Sequence, residues 1–184
     1  VDRNVVEKEL NANTWWETGI MINKGLGEGL ELTAFGHTGL ETDGDGDIRD
    51  GRGKVFKQDG SNIAYTLRLE YTAIPGMEFG IWHNHQSDIN NVPAAGNIPA
   101  NLYGAHFNMS PSEGLGFRAF AAQWDLDCPS SHTCSTNGRS KVWGTYVEPS
   151  YRWSLGGPMD SSIGIGFRAG AWNDKADEAD NASN

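Results

Sequence analysis

Charged residues recur at every second position inside stretches that are otherwise apolar. Arg68 and Glu70 alternate with Leu67, Leu69 and Tyr71, and Glu78 sits between Met77 and Phe79. Arg118 is flanked by Phe117 and Ala119, Arg152 by Tyr151 and Trp153, and Arg168 by Phe167 and Ala169. Glu17, Glu31 and Glu148 occupy equivalent positions. A period of two places such charges on one face of an extended strand and the apolar residues on the other. Mid-strand charges are costly against lipid but serve well along a water-filled channel, where they attract or repel solutes by sign. The same pattern also serves a plainer purpose, in which pairs such as Arg68 with Glu70, or Arg152 with Glu148, brace one another. Both uses remain open from the sequence.

Other groups have weaker chemical signatures. The loop ETDGDGDIRDGR places Glu41, Asp43 and Asp45 at alternating positions, with Gly46 for a sharp turn and Asp47 and Asp50 beside them, like the front of a calcium loop. Arg52 stands where the closing bidentate Glu would be, and no flanking helix is visible. The chain is therefore read as needing no cofactor, with an irregular Ca²⁺ site in the Glu41–Arg52 loop as the alternative to a solvated acidic loop. His83 and His85 share a strand face at a spacing that two metal ligands can use, but no third ligand is assured, so they read as rim residues beside an interfacial Trp82. Cys128 and Cys134 enclose a polar loop, where a local disulfide forms in an oxidising compartment and two free thiols are the alternative. No nucleophile–base arrangement or phosphate loop is present, so no residue is assigned a catalytic role.

The elements that position these residues are strands. With 24 Gly, 7 Trp, 5 Tyr and 7 Phe among 184 residues, composition favours short aromatic-rich strands and turns over helices. Net charge of −10 argues against a nucleic-acid partner, which requires a basic patch. No run approaches the roughly 18 apolar residues of a spanning helix, a limit that does not apply to strands, which cross in about 9–11 residues. About eight strands are expected, at Thr14–Lys24, Leu30–His37, a hairpin over Ile63–Asp88 turning at Ile74–Gly76, Asn101–Met109, Leu115–Asp125, Lys141–Ser154 and Ser161–Trp172. Residues 1–13 and 175–184 read as loop remnants around a single unit. Short turns alternate with long polar stretches at 38–60, 86–100 and 127–140, the sorting expected of an antiparallel up-and-down transmembrane β-barrel with short turns on one side of a membrane.

The stretch LRLEYTAIPGMEFGIWHNHQSD, with FRAFAAQWDLD and YVEPSYRW, resembles the proteobacterial outer-membrane porins, most closely the phosphate-selective and general ones. The resemblance covers most of Thr14–Asp174. It implies a location in the bacterial outer membrane, lipid around the apolar face, and a lumen narrowed by charged residues. Members of the family are barrels of about 16–18 strands and are often homotrimers. With about eight strands and no final strand ending in an aromatic residue, the chain is expected to be a segment of a larger barrel, completed by the remaining strands of the same porin. The alternative of a different class is a soluble eight-stranded barrel with the apolar face inward around a small apolar ligand. A calcium-dependent adhesion piece is a third and weaker expectation.

Overall fold

The computed structural model describes residues 5–10, 17–42, 46–51, 62–90, 96–111, 113–130, 132–156 and 161–176. Among them the chain forms one antiparallel sheet of nine strands, in sequence order, with two short helices. The strands are β1 (Gly19–Gly27), β2 (Leu30–Thr38), β3 (Ile63–Tyr71), β4 (Met77–Gln86), β5 (Ala100–Met109), β6 (Gly114–Leu126), β7 (Lys141–Gly156), β8 (Ser161–Gly166) and β9 (Ala169–Asn173). The all-β, up-and-down expectation holds, and the sheet is open, with β1 at one end of the order and β8 at the other.

Several boundaries differ from the sequence reading: β1 begins only at Gly19, leaving Glu17 and Thr18 before it, and the polar stretch 127–140 holds a one-turn helix. The last strand is split: β8 and β9 both pair with β7, in the same register, since Ser150 faces Gly166 and Val147 faces Ala169. Between them Pro149 stands opposite Phe167 and has no N–H to give the ladder, although its carbonyl still accepts from Phe167 N at 2.9 Å. The segment 1–13 is not all loop either, because Val5–Leu10 forms a helix, α1. Six residues are too few to hold a helix unaided, so its stability comes from docking on the sheet.

Turn chemistry sets the short connections. In Ile74–Met77, Pro75 fixes φ, Gly76 takes φ 77°, and Met77 N donates to Ile74 O at 2.9 Å, the arrangement of a type II turn. At the β1–β2 turn Glu28 holds φ 50° between Gly27 and Gly29, which also lie in the left-handed region.

The side chains sort onto two faces. On the outer face Ile20, Tyr65, Leu67, Phe79, Ile81, Tyr103, Val147 and Tyr151 are all exposed. On the inner face the half nearest the long loops is dry. Leu102, Phe120, Ala122, Trp124, Leu126 and Val142 pack there against Val6 and Leu10 of α1 and against Leu40, Ile48, Ile89, Ile98 and Cys134, carried in by the loops. Cys134 belongs to a one-turn helix, α2 (Thr133–Thr136), and is disulfide-bonded to Cys128. A buried polar chain ties the first long loop to the sheet: Leu40 N donates to Gln86 Oε1 at 2.8 Å, Gln86 to Asn84 at 3.2 Å, and Asn84 to Thr66 at 2.8 Å. Such groups are stable in a core only when each finds a partner.

Candidate functional site: a charged trough on the inner face

The half of the inner face nearest the short turns is polar, and the strand register gathers the charged residues there into two groups. In the first, Arg68 Nη2 lies 2.9 Å from Glu70 and 3.8 Å from Glu78, and His106 Nε2 lies 2.7 Å from Glu78 Oε1. In the second, Arg168 donates to Glu148 at 2.5 Å and Arg118 approaches the same carboxylate at 4.0 Å. Tyr146, beside them, donates its hydroxyl to Glu7 of α1 at 2.5 Å, and the Arg168 guanidinium sits 6.0 Å from its ring centre. A trough of about 490 Å³ runs between the groups, lined by Arg68, Glu78, His106 and Arg118 and floored by Trp82, Phe120 and Tyr146. A second hollow of about 260 Å³, nearer the turns, is lined by Arg118, Glu148 and Arg152.

Two glycines make this surface possible. A Cβ at Gly104 would stand 2.1 Å from the Trp82 ring, and one at Gly80 would stand 2.3 Å from the His106 ring. Both rings therefore lie flat across the neighbouring strand instead of standing into the trough. From Trp82 the aromatic floor continues to Phe120 at 5.7 Å and on to Tyr146, stacked at 5.5 Å.

Of the residues singled out in the sequence, Arg68, Glu70, Glu78, Arg118, Glu148, Arg152 and Arg168 therefore meet on one concave surface. Glu31 lies on the same face, opposite Glu70 in register. Glu17 precedes β1, where its carboxylate accepts from the Thr38 hydroxyl at the loop end of the sheet, away from both groups. The bracing pairs are not all those expected, since Glu148 is held by Arg168 and Arg118 while Arg152 lines the second hollow. Trp82 is not a rim residue beside the histidines, because it faces inward over Gly104. His83 and His85 do share the outer face, where both stand near the Asn101 side-chain oxygen, at 3.1 and 2.9 Å, and beside Tyr103 and Tyr65.

In the acidic loop, Asp43 and Asp45 lie outside the described residues. Asp47 accepts from the N–H groups of Arg49 and Asp50 and pairs with Arg139 at 3.3 Å, while Glu41 N donates to Gly51 O. Trp82 was assigned to the wrong face, and His106, Phe120, Tyr146 and Glu7 are trough residues that the sequence reading did not single out. The glycines at Gly80 and Gly104, each facing a ring-bearing residue across the ladder, carried the signal, but only once the register is known.

No family model, curated protein or solved structure matches the chain, so its function has to be argued from its own residues.

Proposed function

We propose that this sheet is a wall section of a porin-type β-barrel in a bacterial outer membrane, passing small hydrophilic solutes or ions by diffusion along its charged inner face. Lipid covers the outer face, further strands of the same barrel extend its open edges, and the barrel assembles as a homotrimer.

The observation that carries this reading is the order of residues on the outer face. Strand by strand, the outer-face side chains nearest the loops are Tyr65, His83, His85 and Tyr103, and those nearest the turns are Tyr71, Phe79, Phe107, Phe117, Tyr151 and Trp153; Leu67 and Leu69 lie between Tyr65 and Tyr71, Ile81 between Phe79 and His83, Ala105 between Tyr103 and Phe107, and Ala119 and Val147 on the loop side of Phe117 and Tyr151. Tyr65 and Tyr71 are six residues apart on one strand, about 20 Å at 3.3 Å per residue. An aliphatic band between two aromatic girdles is what a membrane-spanning strand presents to lipid, whose apolar band is about 25 Å tall. A water-facing sheet has no use for so large an exposed apolar surface. Strand length supports the same reading, since β1 to β5 run for 9 or 10 residues against the roughly 9–11 needed to cross. The sidedness, with Leu67 outward and Arg68 on the trough, favours lipid outside over an apolar ligand inside.

The test is reconstitution. Extraction should require detergent, and the full-length protein should give discrete conductance steps in a planar bilayer. A protein that stays monodisperse without detergent and conducts nothing would overturn the reading.

A further inference from the structure

We propose that Glu70, Glu78 and His106 bind a divalent first-row transition-metal ion of the Zn²⁺ type, and that Arg68 is the built-in cation the metal displaces. One ligand atom from each of the three, two carboxylate oxygens and one imidazole nitrogen, lie within 4.8 Å of one another. They come from three adjacent strands: Glu70 on β3 and His106 on β5 both face Gly80 of β4, and Glu78 stands two residues before Gly80 on the same face of β4. Gly80 is what lets them meet. A Cβ there would stand 2.3 Å from His106 Cε1 and 2.9 Å from Nδ1, so any side chain would fill the space the ring occupies and push its Nε2 away from Glu78.

The donor set indicates which ions fit. Oxygen-only cages suit Ca²⁺ and Mg²⁺, whereas an imidazole beside carboxylates suits Zn²⁺ and its neighbours. Three protein ligands leave a fourth position, and Glu78 and His106 both line the trough, so that position is open to solute. Ligands of a tetrahedral ion at about 2.0–2.2 Å stand about 3.4 Å apart, so a separation at the 4.8 Å limit has to close by about 1.4 Å, within reach of a glutamate side-chain rotation.

Charge supplies the second argument. Two carboxylates this close repel, and Arg68 offsets the repulsion from one side, at 2.9 and 3.8 Å. Its side chain already lines the trough and is 41% exposed, so it can leave the carboxylates when a divalent ion takes over its role. Metal binding would thereby free an ion-paired positive charge on the trough wall to face solute. The site stands on strand register and side-chain distances and does not depend on the membrane reading.

The folded protein is titrated calorimetrically with Zn²⁺ alone. One saturable site is expected, weakened at least tenfold by Glu78→Gln and by His106→Gln, and tightened several-fold by Arg68→Gln, which removes the competitor. Changing His83 and His85 together to Gln should leave the affinity unchanged. X-ray absorption on the zinc-loaded wild-type protein, which needs no variant to fold, should give one imidazole nitrogen, oxygen for the remainder and no sulfur. No saturable binding, binding that survives His106→Gln but is lost with the outer-face histidines, a weaker Arg68→Gln, or a sulfur ligand would each overturn the proposal. Conductance is read separately, so failure here leaves the proposed function standing and the converse holds too.

Discussion

Glu148 joins two guanidiniums beside the trough, holding Arg168 at 2.5 Å and Arg118 at 4.0 Å. Glu148→Gln should release both guanidiniums to solute and shift the bilayer reversal potential under a salt gradient toward anion preference. Arg118→Glu should shift it toward cations. If neither variant moves the reversal potential, these charges only brace the wall. At the dry end, the Trp124 indole N–H donates to Leu10 O at 2.9 Å and is fully buried. Trp124→Phe leaves that carbonyl unsatisfied, and denaturant titration should find a loss of about 1–3 kcal/mol. The charged residues were legible from sequence because a period of two needs no tertiary knowledge. His106 and Trp82 were not, because what distinguishes them is a glycine on the next strand, and register is invisible in a single chain.

Strands were the most legible elements. Their alternation located most of them to within a few residues, except at β1, which starts later than expected, and where Pro149 interrupts the ladder, an effect that acts on the partner strand and so left no mark between Gly166 and Ala169 themselves. The helix α1 was missed because VVEKEL is too short for a periodic signal and forms by docking. That docking is testable at Gly144, where a Cβ would stand 2.6 Å from Leu10 Cδ1 and 2.7 Å from Val6 Cγ1. Gly144→Val should lift the helix from the sheet, seen as increased protease cleavage at the helix and as a shift in Trp124 fluorescence, with the strand spectrum intact. The disulfide closes a loop with a sequence separation of 6 and anchors the buried Cys134. By chain entropy its reduction should cost about 2 kcal/mol, and denaturant midpoints with and without reductant measure it.

At the scale of the whole molecule the sheet has two opposed characters, an apolar outside and a charged inside, and the sequence displayed this sidedness plainly. It did not display the dry half of the inner face, because Leu40, Ile48, Ile89 and Ile98 lie in stretches that look polar as a whole and become core only when the loops fold inward. The outer face gives the sharpest test of where the protein resides. Leu67 lies between Tyr65 and Tyr71 on the outer face of β3 and is 46% exposed. In a bilayer Leu67→Lys should cost about 2–4 kcal/mol, whereas on a sheet facing water it should be nearly neutral. Folding titrations in lipid vesicles decide between these values.

The interruption at Pro149 has a kinetic meaning as well. It divides the last seam into runs of six and five residues, so the final ribbon can open in two independent steps instead of one cooperative one. Native-state amide exchange should then find different protection for Ser161–Gly166 and Ala169–Asn173, with the first able to peel away while the second stays closed. An edge that frays in stages can also pair in stages, so a neighbouring strand could add to it one short run at a time, like a zip with a missing tooth.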